Sequence, residues 1–432
     1  MISEKELAKE LIEFIDDSYS MFHAVEVSRK ILLEEGFEEL DLGDSWSLEE
    51  GGRYFTCKNG SAIVAFTIGG GSLAEEGFRM IGSHTDSPGF RIKPNPELLT
   101  GNYLKLNTEV YGGPILNTWL DRPLSLAGRV STMTEDALRP RDYLLNIDRP
   151  ILIIPNLAIH MNRTVNDGFK LNTQDHTLPI ISLVEEKFEK DDYLLRLIGE
   201  ELGIDYKNIL DFELYLYARE KGELLGLNEE FISVGKLDNL AMLQASLKAL
   251  INAGPSSAVN MLVAFDNEEV GSSTKQGAGS PFLRDIMERI SMDLGYNGED
   301  FYRAMENSFL ISSDMAHAVH PNFADKADPS NRPLINKGPA IKIAANQAYT
   351  TDSRSAAVYE AICRRAQLPV QKFVNRSDLR GGSTIGPISS SQLAISSVDI
   401  GNPILAMHSV RELGGVKDHH YVYRSFLEFF QL

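Results

Sequence analysis

The chain has 432 residues, a formal net charge of -19 and two cysteines. At roughly 150 residues per domain, this length permits two or three domains with a large buried core. The acidic surplus argues against nucleic-acid and membrane partners, because nucleic acids and anionic membranes are themselves negatively charged. The cysteines form no CxxC pair and the charged N-terminus has no apolar segment, so the sequence predicts a cytoplasmic protein without a disulfide framework.

The sequence pattern of the first half of the chain predicts two helices, then buried strands, and then a region of short alternating segments. Residues 4 to 35 repeat apolar side chains at helical spacing and predict two helices, whereas the apolar runs at 61 to 68 and 78 to 84 predict buried strands. Residues 88 to 231 consist of short alternating segments separated by Pro, Asn, Asp and Gly, with one helical pattern near 192 to 203. This region is predicted to be an inserted β-rich domain.

After the insertion, strand and helix patterns alternate again. Asp238 lies near the start of an amphipathic helix, and an apolar strand leads into Glu268 and Glu269. Further strands are predicted at 308 to 314, 340 to 345, 370 to 374 and 396 to 401, with helices beginning near Ser280 and covering 353 to 366. The alternation predicts an α/β fold, an α/β/α sandwich built from residues 1 to 87 and 232 to 432.

Five segments place a histidine or a carboxylate where a predicted strand ends or a helix begins. In doubly wound sheets these places converge, so ligands distant in sequence can form one site. The residues are His84, Asp238, Glu269, Asp314 and His408. Two imidazoles and three carboxylates suit two zinc-type ions that share one bridging carboxylate. Two divalent ions would also neutralise carboxylates that would otherwise repel one another.

Two further carboxylates have predicted supporting roles. Asp86 follows His84 by two residues and is well placed to fix the tautomer of a metal-bound imidazole. Glu268 and Glu269 are neighbours on an irregular loop and therefore point in different directions. Glu269 can then bind metal while Glu268 faces the reacting water as general base.

Each of these residues alone has an ordinary structural explanation. Asp238 could cap its helix, Asp314 could cap a turn, and His408 could be a core histidine that bonds to the backbone. A glycosidase that used Glu268 and Glu269 is disfavoured, because adjacent residues rarely hold two carboxyls about 5 to 9 Å apart across one bond. The combination of residues, and no single member, favours a metal site.

Seven segments follow one another through most of the chain: IGSHTDSPGFRIKPNP at 81 to 96, KLDNL at 236 to 240, DNEEVGS at 266 to 272, SSDMAHAVHPN at 312 to 322, KGPAIKIAANQAY at 337 to 349, GGSTIGP at 381 to 387 and LAMHSVRE at 405 to 412. Through these segments the chain resembles the aspartyl aminopeptidase (M18) family of metallopeptidases. Such a resemblance implies a split catalytic domain of the binuclear zinc exopeptidase type around an inserted dimerisation domain.

The resemblance also implies how the metal ligands divide. Asp238 would bridge two divalent ions, zinc being expected and cobalt or manganese being able to accept the same ligands. His84 and Asp314 would complete the first ion's site, and Glu269 and His408 the second. The roles that the resemblance implies for the remaining two carboxylates agree with those predicted above from chemistry.

A substrate and its pocket follow from the same resemblance. The chain would remove the N-terminal residue from peptides with a free N-terminus, through a water activated by two zinc ions, and Lys342 would contact an acidic substrate side chain. The net charge of -19 argues against an Asp or Glu preference, because it disfavours the approach of acidic peptides. His160 would reach a neighbouring subunit's active site, and His317, His320 and Tyr349 would line the pocket. From the pattern alone, Lys342 is an exposed strand residue and His160 a surface residue.

The resemblance further implies self-association, in which the insertion forms dimers and the dimers assemble into a tetrahedral dodecamer. Two other functions stay open from the sequence. One is a two-metal deacylase or carboxypeptidase on the same scaffold, which activity on N-acetylated peptides would favour. The other is a non-catalytic assembly or cargo protein that kept the fold. The absence of a metal ligand or of Glu268 would point to that protein, and all of them are present.

Overall fold

The computed structural model describes residues 2 to 185, 191 to 379 and 381 to 432. The chain divides into two compact units. The first unit comprises Met1–Asp86, Gly222–Met407 and Glu412–Leu432, and the second comprises Ser87–Lys221 and His408–Arg411. None of the helices in the described residues combines the length and the apolar content needed to cross a bilayer.

The α-helices and β-strands are numbered in chain order. The helices are α1 (Glu4–Asp17), α2 (Met21–Glu34), α3 (Leu73–Glu76), α4 (Tyr193–Leu202), α5 (Leu237–Asn252), α6 (Phe282–Asp293), α7 (Gly298–Glu306), α8 (Ser353–Arg365), α9 (Ile385–Leu393) and α10 (Val416–Phe430). The strands are β1 (Glu38–Glu39), β2 (Arg53–Lys58), β3 (Ala62–Thr67), β4 (Phe78–His84), β5 (Gly89–Thr100), β6 (Tyr103–Tyr111), β7 (Leu124–Thr132), β8 (Arg141–Asn146), β9 (Ile180–Leu183), β10 (Ile209–Ala218), β11 (Glu223–Leu225), β12 (Phe231–Val234), β13 (Val259–Phe265), β14 (Phe309–Ser313), β15 (Ala316–His317), β16 (Ala340–Ile343), β17 (Gln371–Val374), β18 (Ser396–Gly401), β19 (Pro403–Ile404) and β20 (Glu412–Gly415).

The first unit is built on a nine-stranded sheet with the order β1-β2-β3-β13-β4-β14-β18-β16-β17. Its strands are apolar on both faces because helices cover both. On β3, for example, Ile63 and Ala65 belong to one apolar cluster, whereas Val64 and Phe66 belong to another. Successive side chains of a strand point to opposite faces, so the two clusters lie on opposite sides of the sheet.

Different helices supply the two clusters. Helices α1, α2, α5, α8 and α10 contribute to the first cluster, and α6, α7 and α9 contribute to the second. Helix α1, for instance, begins at a capping box formed by Ser3 and Glu6, and its hydrophobic stripe buries Leu7 and Leu11. The predicted α/β/α sandwich is confirmed, as are the predicted helices and strands of this unit.

The second unit is β-rich, as predicted. Its six-stranded sheet has the order β8-β7-β10-β5-β6-β9, and each of these neighbouring pairs is antiparallel. Helix α4 contributes Leu194 and Ile198 to the apolar cluster of this unit, together with Phe90, Leu126 and Leu214 of the sheet. The helix predicted near 192 to 203 is therefore confirmed.

The end of the insertion differs from the predicted boundary. Residues 222 to 231 belong to the first unit, although the alternating pattern placed them in the insertion. The reason is a pairing partner far along the chain: β11 and β12 form a three-stranded sheet with β20, in which Phe231 lies opposite Gly415. Local alternation marks these residues as strands and does not indicate which sheet they join.

Candidate active site

Three adjacent parallel strands of the nine-stranded sheet end at the candidate site. Strand β4 lies between β13 and β14 and runs parallel to both, so the carboxyl ends of the three strands meet at one edge. His84 is the last residue of β4, Asp314 follows β14, and Glu268 begins a short 3₁₀ turn just after β13. The register, in which Phe265 lies opposite His84, fixes the two strand ends relative to each other.

Asp238 reaches the same place from the first turn of α5. Its backbone is not helical, with φ -80° and ψ 104°, and its N–H donates to Glu412 Oε2 at 3.0 Å. The next residue, Asn239, donates from Nδ2 to the Ser313 carbonyl at 2.8 Å, which ties the helix start to the end of β14. Asp238 therefore precedes the regular part of α5, and its carboxylate belongs to the group of possible metal ligands described next.

The side chains of His84, Asp238 and Asp314 converge. The Nε2 atom of His84 lies 3.4 Å from Asp238 Oδ1 and 3.6 Å from Asp314 Oδ1. One possible ligand atom from each residue lies within 4.8 Å of the others, and all three residues are buried. His84 forms a second such group with Glu268 and Glu269. One imidazole thus lies close to the carboxylates of Asp238, Asp314, Glu268 and Glu269.

This surrounding favours positive charge at His84. Burial acts to lower the pKa of the imidazole, but its contacts with Asp238, Asp314 and Asp86 outweigh burial and raise the pKa well above its ordinary value. The same carboxylates that favour a proton on this ring would also favour a metal ion in place of that proton.

The pKa values of the two neighbouring glutamates are also raised. Burial, reinforced by the negative charges of Asp314 and Asp238, raises the pKa of Glu268 to about 8. Burial and the charge of Asp238 also raise the pKa of Glu269 well above its ordinary value. Closely spaced buried carboxyls resist simultaneous ionisation unless a cation compensates them, and a carboxyl whose pKa lies near neutrality is suited to proton transfer.

Asp86 braces the whole arrangement. Its Oδ1 and Oδ2 atoms accept the backbone N–H groups of Glu268 and Glu269, each at 3.1 Å. The Nδ1 atom of His84 lies 3.0 Å from the Asp86 carbonyl oxygen and 3.3 Å from its Oδ1. A single buried carboxylate therefore fixes both the orientation of the imidazole and the backbone that carries the two glutamates.

Lys342 is buried, and the alternative that it is an exposed strand residue is wrong. It is 3% exposed, and its Nζ lies 3.2 Å from Asp314 Oδ2. The Nζ atom also lies 5.5 Å from the centre of the Tyr349 ring, a distance that suits a cation–π contact. Lys342 thus places a buried positive charge directly beside the carboxylate cluster.

The two predicted pocket histidines differ in their surroundings. His317 is exposed at the end of β15, and its ring lies 5.9 Å from that of Phe373, which in turn lies 6.3 Å from the Tyr349 ring. His317 is therefore joined to Tyr349 through one aromatic neighbour. The ring of His320 lies 5.0 Å from that of Phe323, and its Nδ1 accepts the Asn322 N–H at 3.1 Å. Its place in the substrate pocket stays a prediction.

The two remaining predicted site residues belong to the second unit. His408 follows directly on Met407, where the chain leaves the first unit, and its Nδ1 lies 3.0 Å from the Gly113 carbonyl oxygen. His160 lies in an exposed turn. Their roles as a metal ligand and as a residue reaching a neighbouring subunit stay predictions.

Several polar residues around the site were not singled out from the sequence. Glu412 accepts the Asp238 N–H, Asn239 ties α5 to β14, and Asp399 is fully buried near Lys342. Asp266 is also buried beside Asp86, and burial together with that neighbour raises its pKa to about 7. For Asp399 a signal was present, because an aspartate in the middle of the apolar strand SSVDIG is unusual.

The residues fit a metal centre of the zinc type. They supply imidazole nitrogen and carboxylate oxygen, with no thiolate, from rigid strand ends and one helix start. A zinc-bound histidine usually donates its other ring N–H to a hydrogen-bond acceptor, and that acceptor is present as well. Asp86 faces Nδ1 of His84, while Nε2 faces the carboxylates.

Comparisons with known proteins agree with this site. The family described as Aminopeptidase I zinc metalloprotease (M18) matches residues 14–430. The chain is 59% identical to a probable M18 family aminopeptidase 2 of Clostridium acetobutylicum over 100% of both chains, and 45% identical to one of Stutzerimonas stutzeri over 96% of this chain and 95% of that one.

The structure is similar to the one titled "Cryo-EM structure of the Ape4 and Nbr1 complex", with a TM-score of 0.95, 40% identity and coverage of 99% of this chain and 86% of that chain. It is also similar to the S. cerevisiae mApe1 dodecamer, with a TM-score of 0.86, 28% identity and coverage of 99% and 97%. The chain belongs to the M18 family of aminopeptidases, which are zinc metalloproteases.

Proposed function

We propose that this metalloaminopeptidase acts through two zinc ions, with Glu268 as the general base. The observation that carries the proposal is the convergence of His84, Asp238 and Asp314 at the strand ends, with Glu268 beside them. A buried imidazole ringed by carboxylates has little purpose in a protein core without a cation, because the carboxylates repel one another.

The ligands would divide between the two ions as the resemblance to the M18 family implies. His84 and Asp314 would hold one ion, Glu269 and His408 the other, and Asp238 would bridge them. When bound, the metal ions supply Lewis-acid polarisation of the scissile carbonyl and activation of water. The N/O donor set is suited to zinc, and cobalt or manganese would accept it too.

Glu268 would move the proton. Its carboxylate would accept a proton from the attacking water and would then deliver it to the leaving amine. Burial and the neighbouring carboxylates raise the pKa of Glu268, and the bound cations would lower it again, so that its carboxylate is available to accept the proton. Asp86 would hold the Glu268 backbone in place during both transfers, through the hydrogen bond described above.

The test is the Glu268→Gln variant, assayed with metal-loaded enzyme on free-amine and N-acetylated dipeptides. We expect a loss of about 10² to 10⁴-fold in kcat, the usual contribution of general acid–base catalysis, with metal content unchanged. Glu288→Gln is the matched control, because Glu288 is an exposed glutamate of α6. Substantial activity retained in Glu268→Gln would reject this residue as the base.

The same assay separates the alternatives. Cleavage restricted to free-amine peptides supports the aminopeptidase, whereas cleavage of N-acetylated peptides would favour a two-metal deacylase or carboxypeptidase. Failure to cleave any substrate with several metals would favour a non-catalytic assembly or cargo protein.

A preference for acidic N-terminal residues is part of the proposal, because Lys342 is a buried cation next to the site. In the assay, faster cleavage of Asp-X and Glu-X than of Leu-X dipeptides would support it. Equal rates would leave the aminopeptidase proposal intact and remove the role assigned to Lys342.

Self-association through the β-rich unit is also proposed. A similar solved structure is titled as a dodecamer, and the expected assembly is a tetrahedral dodecamer built from dimers in a cytoplasmic protein. Sedimentation of the purified chain would test this, since a monomer at micromolar concentration would contradict it.

A further inference from the structure

Asp399 is a fully buried carboxylate in the middle of β18. Its Oδ1 accepts the hydroxyls of Ser312 at 2.5 Å and Thr384 at 2.7 Å, and its Oδ2 accepts the Thr350 backbone N–H at 2.6 Å. Burying a carboxylate is costly, and three short hydrogen bonds are the usual way in which a protein offsets that cost. The mechanism proposed above makes no use of this group.

The register of the sheet places Asp399 beside Lys342. Strands β16 and β18 are antiparallel, with Ala340 opposite Gly401 and Ile341 opposite Ile400. Continuing this register by one residue brings Lys342 opposite Asp399 on the same face of the sheet. Lys342 therefore lies between two carboxylates, Asp399 on its neighbouring strand and Asp314 at 3.2 Å from its Nζ.

Asp399 also joins three elements around the lysine. Ser312 lies on β14, two residues before Asp314, and Thr384 is the N-cap residue of α9. At Gly386 in the first turn of α9, a Cβ atom would approach Asp399 Oδ2 to 2.5 Å, so only a residue without a side chain allows the helix to approach this closely. The negative charge consequently lies against the start of a helix, where the helix dipole favours it.

The third element carries Tyr349. Thr350, whose N–H donates to Asp399, is the next residue in the chain, and Thr351 Oγ1 accepts the Asp399 backbone N–H at 2.9 Å. The segment after Tyr349 is thus attached to β18 by both the side chain and the backbone of Asp399. These two bonds hold the backbone next to Tyr349, whose ring centre lies 5.5 Å from the Lys342 Nζ.

We propose that Asp399 is a positioning residue for substrate selection, which holds the Lys342 ammonium and the Tyr349 ring in one fixed arrangement against the metal centre. From that arrangement Lys342 would contact a carboxylate side chain on the substrate's N-terminal residue. Asp399 contacts neither the substrate nor the reacting atoms in this proposal and acts through Lys342 and the Tyr349 segment. The inference rests on the proposed aminopeptidase function and adds the determinant of its side-chain selectivity.

The experiment measures selectivity, defined as the ratio of kcat/KM for an N-terminal Asp substrate to that for an N-terminal Leu substrate. We expect Asp399→Ala to lower this ratio at least about tenfold, mainly through a higher KM for the Asp substrate, because a misplacement of about 1 Å can cost about 10²-fold. Metal content and kcat for the Leu substrate should change much less. A purely structural role would lower kcat for both substrates together.

A second variant guards against loss of folding in Asp399→Ala. Asp399→Asn has the same shape, and its amide can accept the Thr350 N–H while its NH₂ faces two hydroxyls that are able to accept. This variant removes only the charge next to Lys342, and we expect it to lower the ratio while the thermal unfolding temperature stays close to that of the wild type. A ratio within about twofold of the wild-type value in a folded Asp399 variant would overturn the proposal.

Two controls separate this inference from its neighbours. Adding Asp399→Asn to Lys342→Met should lower the ratio no further, because residues that act through one another are not additive. Asp418→Asn is the matched control, since Asp418 is another fully buried aspartate that accepts backbone N–H groups, from Asn336 and Gly338. A similar fall of the ratio in Asp418→Asn would overturn the proposal.

Lys342→Met alone decides what a failure means. If it leaves the ratio unchanged, no Lys342-dependent selectivity exists for Asp399 to position, and the inference is overturned while the aminopeptidase proposal stands. If neither the wild-type protein nor any variant cleaves either substrate, the proposed function itself fails. The wild-type reference in the Glu268→Gln assay will show this failure independently.

Discussion

Replacing Asp86 by asparagine should damage the site without removing any metal ligand. The two Asp86 oxygens accept the N–H groups of Glu268 and Glu269 at 3.1 Å each. Asparagine has one acceptor oxygen, so one of these two N–H groups would face an NH₂ group and lose its partner. An unsatisfied buried donor costs about 1 to 3 kcal/mol, and the loop can avoid that cost only by moving the glutamates.

The expected result is a loss of about 10 to 100-fold in zinc affinity and kcat/KM, the range usual for residues that orient metal ligands. Zinc affinity would be measured by competition with a chromophoric chelator, and kcat/KM with saturating zinc. Asp285→Asn is the control, because Asp285 is exposed on α6. If Asp86→Asn matches the wild type in both quantities to within about twofold, the bracing role assigned to Asp86 is refuted.

Two further predictions concern stability. Leu243 is fully buried in α5, so Leu243→Ala should lower the free energy of unfolding in urea by about 2 to 5 kcal/mol. Leu33 is 43% exposed, so Leu33→Ala should change the same free energy by less than about 1 kcal/mol. Equal effects of the two variants would contradict the described core. Burial lowers the pKa of His419 to about 3, and its Nε2 lies 2.8 Å from Gln244 Oε1. Because the pKa of His419 is lower in the folded state, its contribution to the free energy of unfolding is fully present above the unfolded pKa of about 6.5 and is lost as the pH falls towards 3. At pH 5 the loss amounts to about 2 kcal/mol. Urea unfolding at pH 7 and pH 5 should therefore show a smaller loss of stability in His419→Asn than in the wild type, and an equal loss would refute the assignment.

The strand-end residues were predictable because their placement follows from a general rule. Once β4, β13 and β14 are recognised as buried strands of one sheet, parallel pairing alone brings His84, Glu268 and Asp314 to the same edge. Asp238 was predicted near a helix start, and the structure adds that its backbone departs from the helix.

Residues whose role depends on long-range pairing were not predictable in this way. Glu412 reaches Asp238 only because β20 pairs with β12, and Asp399 lies beside Lys342 only because β16 is antiparallel to β18. Neither register can be read from local periodicity. The burial of Lys342 is not predictable for the same reason, since an isolated lysine in a short strand resembles a solvent-facing residue.

The strand order of the large sheet has a consequence for how the chain acquires its metal site during synthesis. Strands β3 and β4 are close in sequence, yet β13 lies between them, and the other neighbour of β4 is β14. The strand that carries His84 therefore has no hydrogen-bonded neighbour in this sheet until residues 85 to 258 have been made. At about 5 to 20 residues per second this is a wait of many seconds, during which an apolar strand stays unpaired. The arrangement that gathers the ligands at one edge also delays their meeting until the C-terminal half of the protein has left the ribosome.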